Sequence, residues 1–468
     1  MKKFLILLLA VCLLLCSVPV LAADPQTDVS VTSGCRTLDA QLPLLGAAQL
    51  VSNTSAAVLY ETNTDTLMYA QNADNPIEPA SLLKIMTALV AIEKGKMDDV
   101  VTVREEVLST LAADAVVVDL TVDEVVTVKD LLYCMMVASG NDAAVVLADH
   151  VMGDQQAFVA EMNRYAAELG CTGTNFTNVH GLDDDAQYTT ARDISRILAH
   201  AIKNPQFSEF FNAKEYEMPA TNKSEARKLT SQNYLINNDK VEIYYDERVT
   251  GGRTAVCSDQ TRSLAITAQQ NDMNLVCVVT GAKSQYEKDG YTVKVFGGYA
   301  ESKQLLDLCF TGYKTAQILS PDQVLKQSSV LNGNCDVTVG ARTGVSAVVA
   351  TGATDNGLVY RYADEVGLSA PIQKGQTLAS LQIWQGAVCV AQTEVYAMNN
   401  VAVAGTVFEE DNGKSITLGT GKVILLVIGG IVALVLCAFG VLYIVRTVRI
   451  FKVKRQSMRN RRNRRRSR

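Results

Sequence analysis

The spacing of apolar residues predicts strands first and helices next in the chain. Two short apolar runs, at 56–60 and 66–70, flank the polar residues 61–65, and this pattern predicts a β-hairpin. From about 81 to 203 the apolar residues recur every three or four positions, which predicts helices. Two of these helices are marked by apolar sets, Leu131, Leu132, Met135 and Met136 in one and Phe158, Met162 and Tyr165 in the other.

Strand character returns after the helices. The predicted strands lie at 248–256, 264–268 and 275–279, and Leu305, Leu306 and Leu308 then predict a closing helix. Strands before the helices and strands after them favour an α+β fold over a repeating βαβ unit. We therefore predict a first domain at 46–312, in which helices cover an antiparallel sheet.

The pattern changes again after Ser320 and Pro321. Short β-rich runs alternate with Gly and Asn turns, at 337–339, 346–350, 358–362, 378–384 and 387–396. This spacing predicts a small all-β domain at 316–398. Residues 399–422 are predicted to be a stalk that follows it.

Both ends of the chain carry membrane signals. Lys2 and Lys3 precede an apolar run at 4–16, and small residues near position 22 complete the pattern of a cleaved signal peptide at 1–22. Residues 423–445 contain no charge and no proline, and as a helix they would span about 34 Å, enough for a bilayer core of about 30 Å. A buried core helix is the alternative, but it would rarely lack polar residues on every face.

Charge orients this predicted transmembrane helix. Residues 446–468 hold 12 of the 43 Lys and Arg residues and no acid, so the positive-inside rule predicts a cytoplasmic tail and an extracellular ectodomain. The remainder of the chain has 31 basic against 49 acidic groups, which argues against nucleic acid as a partner. With three histidines and no CxxC pair, we predict no metal and no cofactor. The sequence leaves disulfide pairing and oligomeric state open.

Three short motifs could carry chemistry. Ser81 and Lys84 lie three residues apart where Pro79 leads into an amphipathic run, so they share one face at the beginning of a helix. A lysine whose pKa is lowered by burial and nearby cations can deprotonate a serine hydroxyl. The alternative is a serine N-cap followed by a surface lysine.

The second motif is Ser139-Gly140-Asn141-Asp142, which separates helical runs at 128–137 and 143–151 and so predicts a tight loop. A second hydroxyl could relay a proton there, although the same residues also suit a simple helix cap. The third motif is Thr250-Gly251-Gly252-Arg253-Thr254-Ala255, in which a cation and a hydroxyl could bind a carboxylate. Its alternative is a bulge that leads into an edge strand.

Taken in order, the three motifs resemble those of penicillin-recognising serine enzymes, which read Ser-x-x-Lys, Ser-x-Asn and Lys-Thr-Gly. Residues 79–88, 139–144 and 158–163, and the His-Gly-Leu segment at 178–184, resemble D-alanyl-D-alanine carboxypeptidases more narrowly. The resemblance covers about 48–281 and implies a β-lactamase/transpeptidase-like fold. It also implies peptidoglycan stem peptides as substrates and β-lactams as ligands.

The resemblance implies a role for each matching residue. Ser81 is expected to be the acylated nucleophile, Lys84 its general base, and Ser139 a proton relay. Asn141 is expected to orient the substrate, and Arg253 and Thr254 to bind its terminal carboxylate. The backbone N–H groups of Ser81 and Val256 are expected to form the oxyanion hole.

The chain departs from the family pattern in two of its motifs. Leu83 replaces the threonine that is common just before the lysine of the first motif. Arg253 replaces the lysine of the third motif, and its planar head has a different reach from an ammonium group. Ala255 replaces the motif glycine and is expected to place a methyl group where the strand approaches a substrate. The main prediction is a membrane-anchored serine D-Ala-D-Ala carboxypeptidase. A catalytically weakened homologue that binds peptidoglycan or cell-wall partners is the alternative. A β-lactamase is disfavoured, because no Glu-x-x-x-Asn segment follows Asn141.

Overall fold

The computed structural model describes residues 43–46, 48–237, 242–289, 293–352, 357–363 and 367–405. The predicted signal peptide, transmembrane helix and basic tail, together with most of the stalk, lie outside these residues. No helix in the described ranges has the length and apolar character needed to cross a membrane.

The helices follow one another through the middle of the chain and return once after the central strands. They are α1 (Lys84–Lys94), α2 (Glu105–Leu108), α3 (Val128–Ala138), α4 (Asn141–Met152), α5 (Gln155–Glu168), α6 (Ala191–Ala201), α7 (Pro205–Phe211) and α8 (Tyr299–Gly312). Short 3₁₀ turns occupy Ala80–Leu83 and Glu242–Tyr244.

The strands of the first domain are β1 (Ala56–Glu61), β2 (Thr66–Gln71), β3 (Val100–Thr102), β4 (Val125–Thr127), β5 (Glu215–Met218), β6 (Arg227–Thr230), β7 (Val249–Val256), β8 (Arg262–Gln270), β9 (Met273–Ala282), β10 (Gln285–Tyr286) and β11 (Val293–Val295). Five of them form an antiparallel sheet in the order β2-β1-β9-β8-β7, so β7 is an edge strand. The predicted hairpin at 56–70 is confirmed as β1 and β2. The predicted α+β class is confirmed by this helix-covered sheet.

The strands β1, β8 and β9 are buried on both faces of the sheet, which explains why they read as largely continuous apolar runs. Along β1, Ala56 and Val58 pack into the cluster under the helices α1 and α3–α7, whereas Ala57 and Leu59 pack into a second cluster with α8. The two clusters alternate because successive side chains of a strand point to opposite faces. We call them the helical cluster and the α8 cluster.

Two short segments of the predicted helical region form strands. The segments Val100–Thr102 and Val125–Thr127 both read Val-Val-Thr, and they pair antiparallel as β3 and β4. β-branched residues favour strands, since their stiff side chains fit a pleated surface better than a helix. The expectation of helices throughout 81–203 is therefore wrong at these two segments.

The C-terminal region is a β domain, as predicted. Its strands are β12 (Tyr313–Leu319), β13 (Val324–Ser328), β14 (Val337–Ala341), β15 (Val345–Ala350), β16 (Leu358–Ala363), β17 (Thr377–Gln385) and β18 (Val388–Ala397). Five of them form a sheet in the order β13-β14-β18-β17-β16, and β12 pairs with β15. A separate apolar cluster that includes Leu381, Ile383 and Val390 forms its core.

Candidate active site

Ser81 lies in the 3₁₀ turn that leads into α1. In a 3₁₀ turn, residues three apart point the same way, so the local fold already brings Ser81 and Lys84 to one side. Ala80 has a φ of +42°, a backbone conformation that is uncommon for any residue other than glycine. Strain of this kind persists where the surrounding structure holds it, and here it lies directly before the serine.

Lys84 is completely buried, and its amine is surrounded by oxygen atoms. Its Nζ lies 3.3 Å from Ser81 Oγ and donates to Asn141 Oδ1 at 2.7 Å and to the His180 carbonyl oxygen. Burial holds the pKa of Lys84 well below its ordinary value, and the positive charge of Arg253 lowers that pKa further. The alternative of a surface lysine is therefore wrong.

The second motif forms the predicted tight loop between α3 and α4. Ser139 has a φ of +64° and ends α3, and Asn141 begins α4. Ser139 Oγ lies 3.2 Å from Ser81 Oγ, and Asn141 reaches Lys84 as described above. The residues of the loop thus serve as helix termini and also bring two polar side chains to Ser81 and Lys84.

Asp142, named with this motif but assigned no role from the sequence, holds the wall of the site. Its buried carboxylate accepts hydrogen bonds from the N–H groups of Val118 at 3.0 Å and Leu120 at 3.0 Å. Burial raises the pKa of Asp142, although these backbone donors act in the opposite direction. The Val116 carbonyl oxygen accepts from Asn141 N–H at 2.7 Å, so the segment 116–120 is attached directly to the beginning of α4.

The His-Gly-Leu segment closes the site from another side. Gly181 has a φ of +84°, and a methyl group built on it would lie 2.1 Å from the Ala80 carbonyl oxygen. Only glycine allows this backbone to approach so closely. Asn178 Oδ1 accepts from Gly181 N–H at 2.7 Å and stabilises the turn. The sequence placed this segment in a family motif without showing that the His180 backbone, rather than its ring, contacts Lys84.

The third motif forms the edge strand β7, as its structural alternative predicted. Arg253 is buried, and its Nη1 donates to the carbonyl oxygens of Met135 at 3.0 Å and Met136 at 2.7 Å. Its Nη2 donates to Ser139 Oγ at 2.9 Å. Burial lowers the pKa of Arg253 to about 10, so the guanidinium stays charged near neutral pH. Arg253 thus joins the last turn of α3 to Ser139.

Comparisons with known proteins identify the family of the chain. The family model described as D-alanyl-D-alanine carboxypeptidase matches residues 46–284, and a second one, described as penicillin-binding protein 5, C-terminal domain, matches residues 313–403. The first match covers about half of the chain. The chain belongs to the D-alanyl-D-alanine carboxypeptidase family.

Individual relatives of this family match most of the chain. It is 31% identical to D-alanyl-D-alanine carboxypeptidase DacC of Escherichia coli, over 75% of this chain and 84% of that protein. It is 28% identical to the carboxypeptidase DacF of Bacillus subtilis, over 76% of this chain and 88% of that protein. The solved structure of penicillin binding protein 5 from Haemophilus influenzae is similar with a TM-score of 0.61 and 30% identity, covering 76% of this chain and all of that one. The predicted family, the serine-type carboxypeptidase class and the D-Ala-D-Ala carboxypeptidase activity are confirmed, whereas the membrane anchor and the roles of the individual site residues stay predictions.

The carboxypeptidase family normally has a glycine where this chain has Ala255, and the structure changes the expectation for that residue. The Ala255 side chain is 3% exposed and packs in the helical cluster. Its methyl group is therefore covered by protein. The expectation that it would lie on the strand surface, where a substrate approaches, is wrong. It lies on the same side of β7 as Arg253, because side chains two apart on a strand share a face.

An open cleft of about 380 Å³ runs along β7 and contains Ser81, Ser139, Thr254 and Val256. This volume lies near the lower end of the range of small-molecule sites, about 300–1,000 Å³. Lys84 lies behind Ser81, and Asn141 is 4% exposed, so both act from the wall of the cleft. No group of metal-ligating side chains occurs among the described residues.

Proposed function

We propose that this chain hydrolyses the terminal D-Ala from peptidoglycan stem peptides through an acyl-enzyme on Ser81, and that β-lactams acylate the same serine. The observation that carries this proposal is the environment of the Lys84 amine. Two of its neighbours, Asn141 Oδ1 and the His180 carbonyl oxygen, can only accept hydrogen bonds. A neutral amine has two N–H bonds and one lone pair, so these acceptors direct the lone pair toward Ser81 Oγ.

Acylation follows from this arrangement. Lys84 Nζ takes the proton of Ser81 Oγ as the oxygen attacks the carbonyl carbon of the penultimate D-Ala. The tetrahedral intermediate then collapses and the C–N bond breaks. The proton that Lys84 took from Ser81 passes through Ser139 Oγ to the released amine of the terminal D-Ala, which leaves Lys84 neutral again. General-base catalysis of this kind increases the rate by a factor of about 10²–10⁴. In the second half of the cycle, Lys84 accepts a proton from the water that attacks the Ser81 ester, the ester C–O bond breaks, and Lys84 returns this proton to Ser81 Oγ.

The edge strand supplies the remaining parts of the site. Since β7 has no strand on its outer side in the described sheet, its backbone can pair with an extended peptide. The N–H groups of Ser81 and Val256 are the proposed oxyanion hole, and each donor of this kind contributes about 10²–10³ in rate. Thr254 is proposed to bind the terminal carboxylate, and Asn141 to hold both Lys84 and the substrate.

The proposal places this enzyme outside the cell. The signal peptide at 1–22, the uncharged segment 423–445 and the basic tail at 446–468 support a single-pass protein with an extracellular ectodomain. Such a protein would meet peptidoglycan at the membrane surface.

Labelled penicillin tests the nucleophile. We expect the full-length protein to form a covalent adduct that mass spectrometry maps to Ser81, and Ser81→Ala to abolish it. Ser109→Ala changes an exposed serine of the helical region and should leave the adduct unchanged. Release of D-Ala from a peptide that ends in D-Ala-D-Ala is measured in parallel. An adduct without D-Ala release would favour the catalytically weakened homologue, and rapid release of hydrolysed penicillin would favour a β-lactamase.

A further inference from the structure

The cleft along β7 is positively charged. Its lining includes two arginines, Arg253 and Arg262, and among its described lining residues there is no Asp or Glu. A cleft of this composition attracts an anionic ligand. A peptide that ends in a free carboxylate is such a ligand, so the question is which arginine pairs with it.

Arg253 is already engaged within the protein. Its two terminal nitrogens donate to three acceptors, the carbonyl oxygens of Met135 and Met136 and Ser139 Oγ. The side chain is 4% exposed and lies on the face of β7 that packs on the helical cluster. Its Nε–H has no hydrogen-bond partner among the described residues, but this atom is buried. A bidentate contact with a carboxylate needs two parallel N–H donors that the ligand can reach, and the buried guanidinium of Arg253 does not present such a pair to the cleft.

Arg262 has a different position. It lies on β8 directly opposite Val256, so its side chain projects on the same face as Val256 and, by alternation, Thr254. The side chain is partly exposed, and its guanidinium carbon lies 4.8 Å above the centre of the Phe296 ring. Within the described ranges, no carboxylate pairs with this guanidinium.

Aromatic packing fixes the position of Arg262. Phe296 contacts Tyr234 edge-on, with ring centres 5.5 Å apart, and Tyr234 stacks on Tyr299 at 5.3 Å. An arginine over such a ring is held in place while the edge of its planar group stays free to donate hydrogen bonds. The side chain is thus pre-oriented without using its donors.

We propose that Arg262 binds the C-terminal carboxylate of the substrate, beside Thr254, and that it determines the preference of this enzyme for peptides with a free C-terminus. The proposal rests on the proposed carboxypeptidase function. It assigns to Arg262 the role that the sequence had given to Arg253, and it leaves Arg253 to position Ser139.

The test separates binding from turnover. Full-length Ser81→Ala protein is titrated with an N-acylated peptide that ends in D-Ala-D-Ala and with the same peptide as its C-terminal amide, and the two Kd values are compared. We expect Arg262→Gln to weaken binding of the acid about 10- to 100-fold, the size of a lost charge-assisted pair. Binding of the amide should not change, and Arg262→Lys should restore part of the preference for the acid.

Arg361 is the matched control, because its guanidinium carbon lies 4.6 Å above the Trp384 ring in the β domain, away from the cleft. Arg361→Gln should leave both Kd values unchanged. Equal weakening of acid and amide by Arg262→Gln, or no weakening of either, would overturn the assignment. D-Ala release by protein with Ser81 intact is measured separately. Loss of the proposed carboxypeptidase activity would appear in this assay, whereas an error in the assignment of Arg262 would appear only in the Kd values.

Discussion

At the scale of single residues, the protonation state of Lys84 controls the proposed chemistry. Only the neutral amine can accept the Ser81 proton, and burial together with Arg253 lowers the pKa of Lys84 well below that of a free lysine. The rate of Ser81 acylation should therefore rise with pH and reach a plateau at a pH well below 10. We call the rising part of this pH profile the acid limb, and stopped-flow acylation by a β-lactam should show it. A rate that still rises steeply at pH 10 would contradict this prediction.

Arg253 offers a second prediction at this scale, because it acts on Lys84 through charge. Removing the guanidinium in Arg253→Gln should raise the pKa of Lys84 and move the acid limb of the acylation rate to higher pH. Ser139 also loses a donor at 2.9 Å, so the plateau should fall about 10- to 100-fold. Arg253→Lys should restore the position of the limb. A merely structural arginine would change the plateau and leave the limb in place.

At the scale of elements, the segment 178–182 has to touch the turn that carries Ser81. Gly181→Ala should break this contact, because its methyl group would meet the Ala80 carbonyl oxygen at 2.1 Å. We expect a loss of stability of about 1–3 kcal/mol and acylation at least 10-fold slower, since the His180 carbonyl would move away from Lys84.

Gly153 provides the matched control for this prediction. It also has a positive φ, +74°, but nothing lies within 4 Å of a methyl group built on it. Gly153→Ala should therefore cost only the backbone strain, about 1–2 kcal/mol, and leave acylation unchanged. Thermal unfolding and penicillin acylation are measured on both variants. The comparison separates the effect of backbone strain at a positive φ from the effect of losing the contact between residue 181 and Ala80. Equal effects on acylation would mean that the contact with Ala80 has no functional weight.

At the scale of the whole molecule, the predicted anchor determines where the enzyme works. Leu434 lies near the middle of the uncharged segment 423–445, where an arginine costs about 2.5–3.5 kcal/mol in membrane insertion. Leu434→Arg should lower the membrane-bound fraction, and Leu434→Ala should not. Protease added to intact protoplasts should remove the ectodomain and spare the tail. A protected ectodomain would contradict the predicted orientation.

The two domains differ in how far their sequences predict them. In the first domain, the strands β8 and β9 follow from apolar runs that are buried on both faces, and α3 and α4 follow from helical spacing. The pair β3 and β4 was not predicted, because each strand is only three residues long and its partner lies across an intervening segment that includes α2. Such short strands form because they pair with each other in the folded chain, and local β-propensity does not specify which segment will be the partner.

Local chemistry in the sequence determined the elements and the first half of the site. The Ser81–Lys84 pair needs only one helical turn, and the Ser139–Asn141 loop needs only the end of one helix and the beginning of another. Only the tertiary structure brought Ser139 and Asn141 to these residues, across separations of 58 and 57 positions. It also decided that Arg253 turns inward to α3 while Arg262 lies over the Phe296 ring, and that Lys84 is buried, which holds its pKa well below the ordinary value. Burial, charge proximity and the face of a strand depend on what packs against a residue, and neighbours in sequence do not specify that.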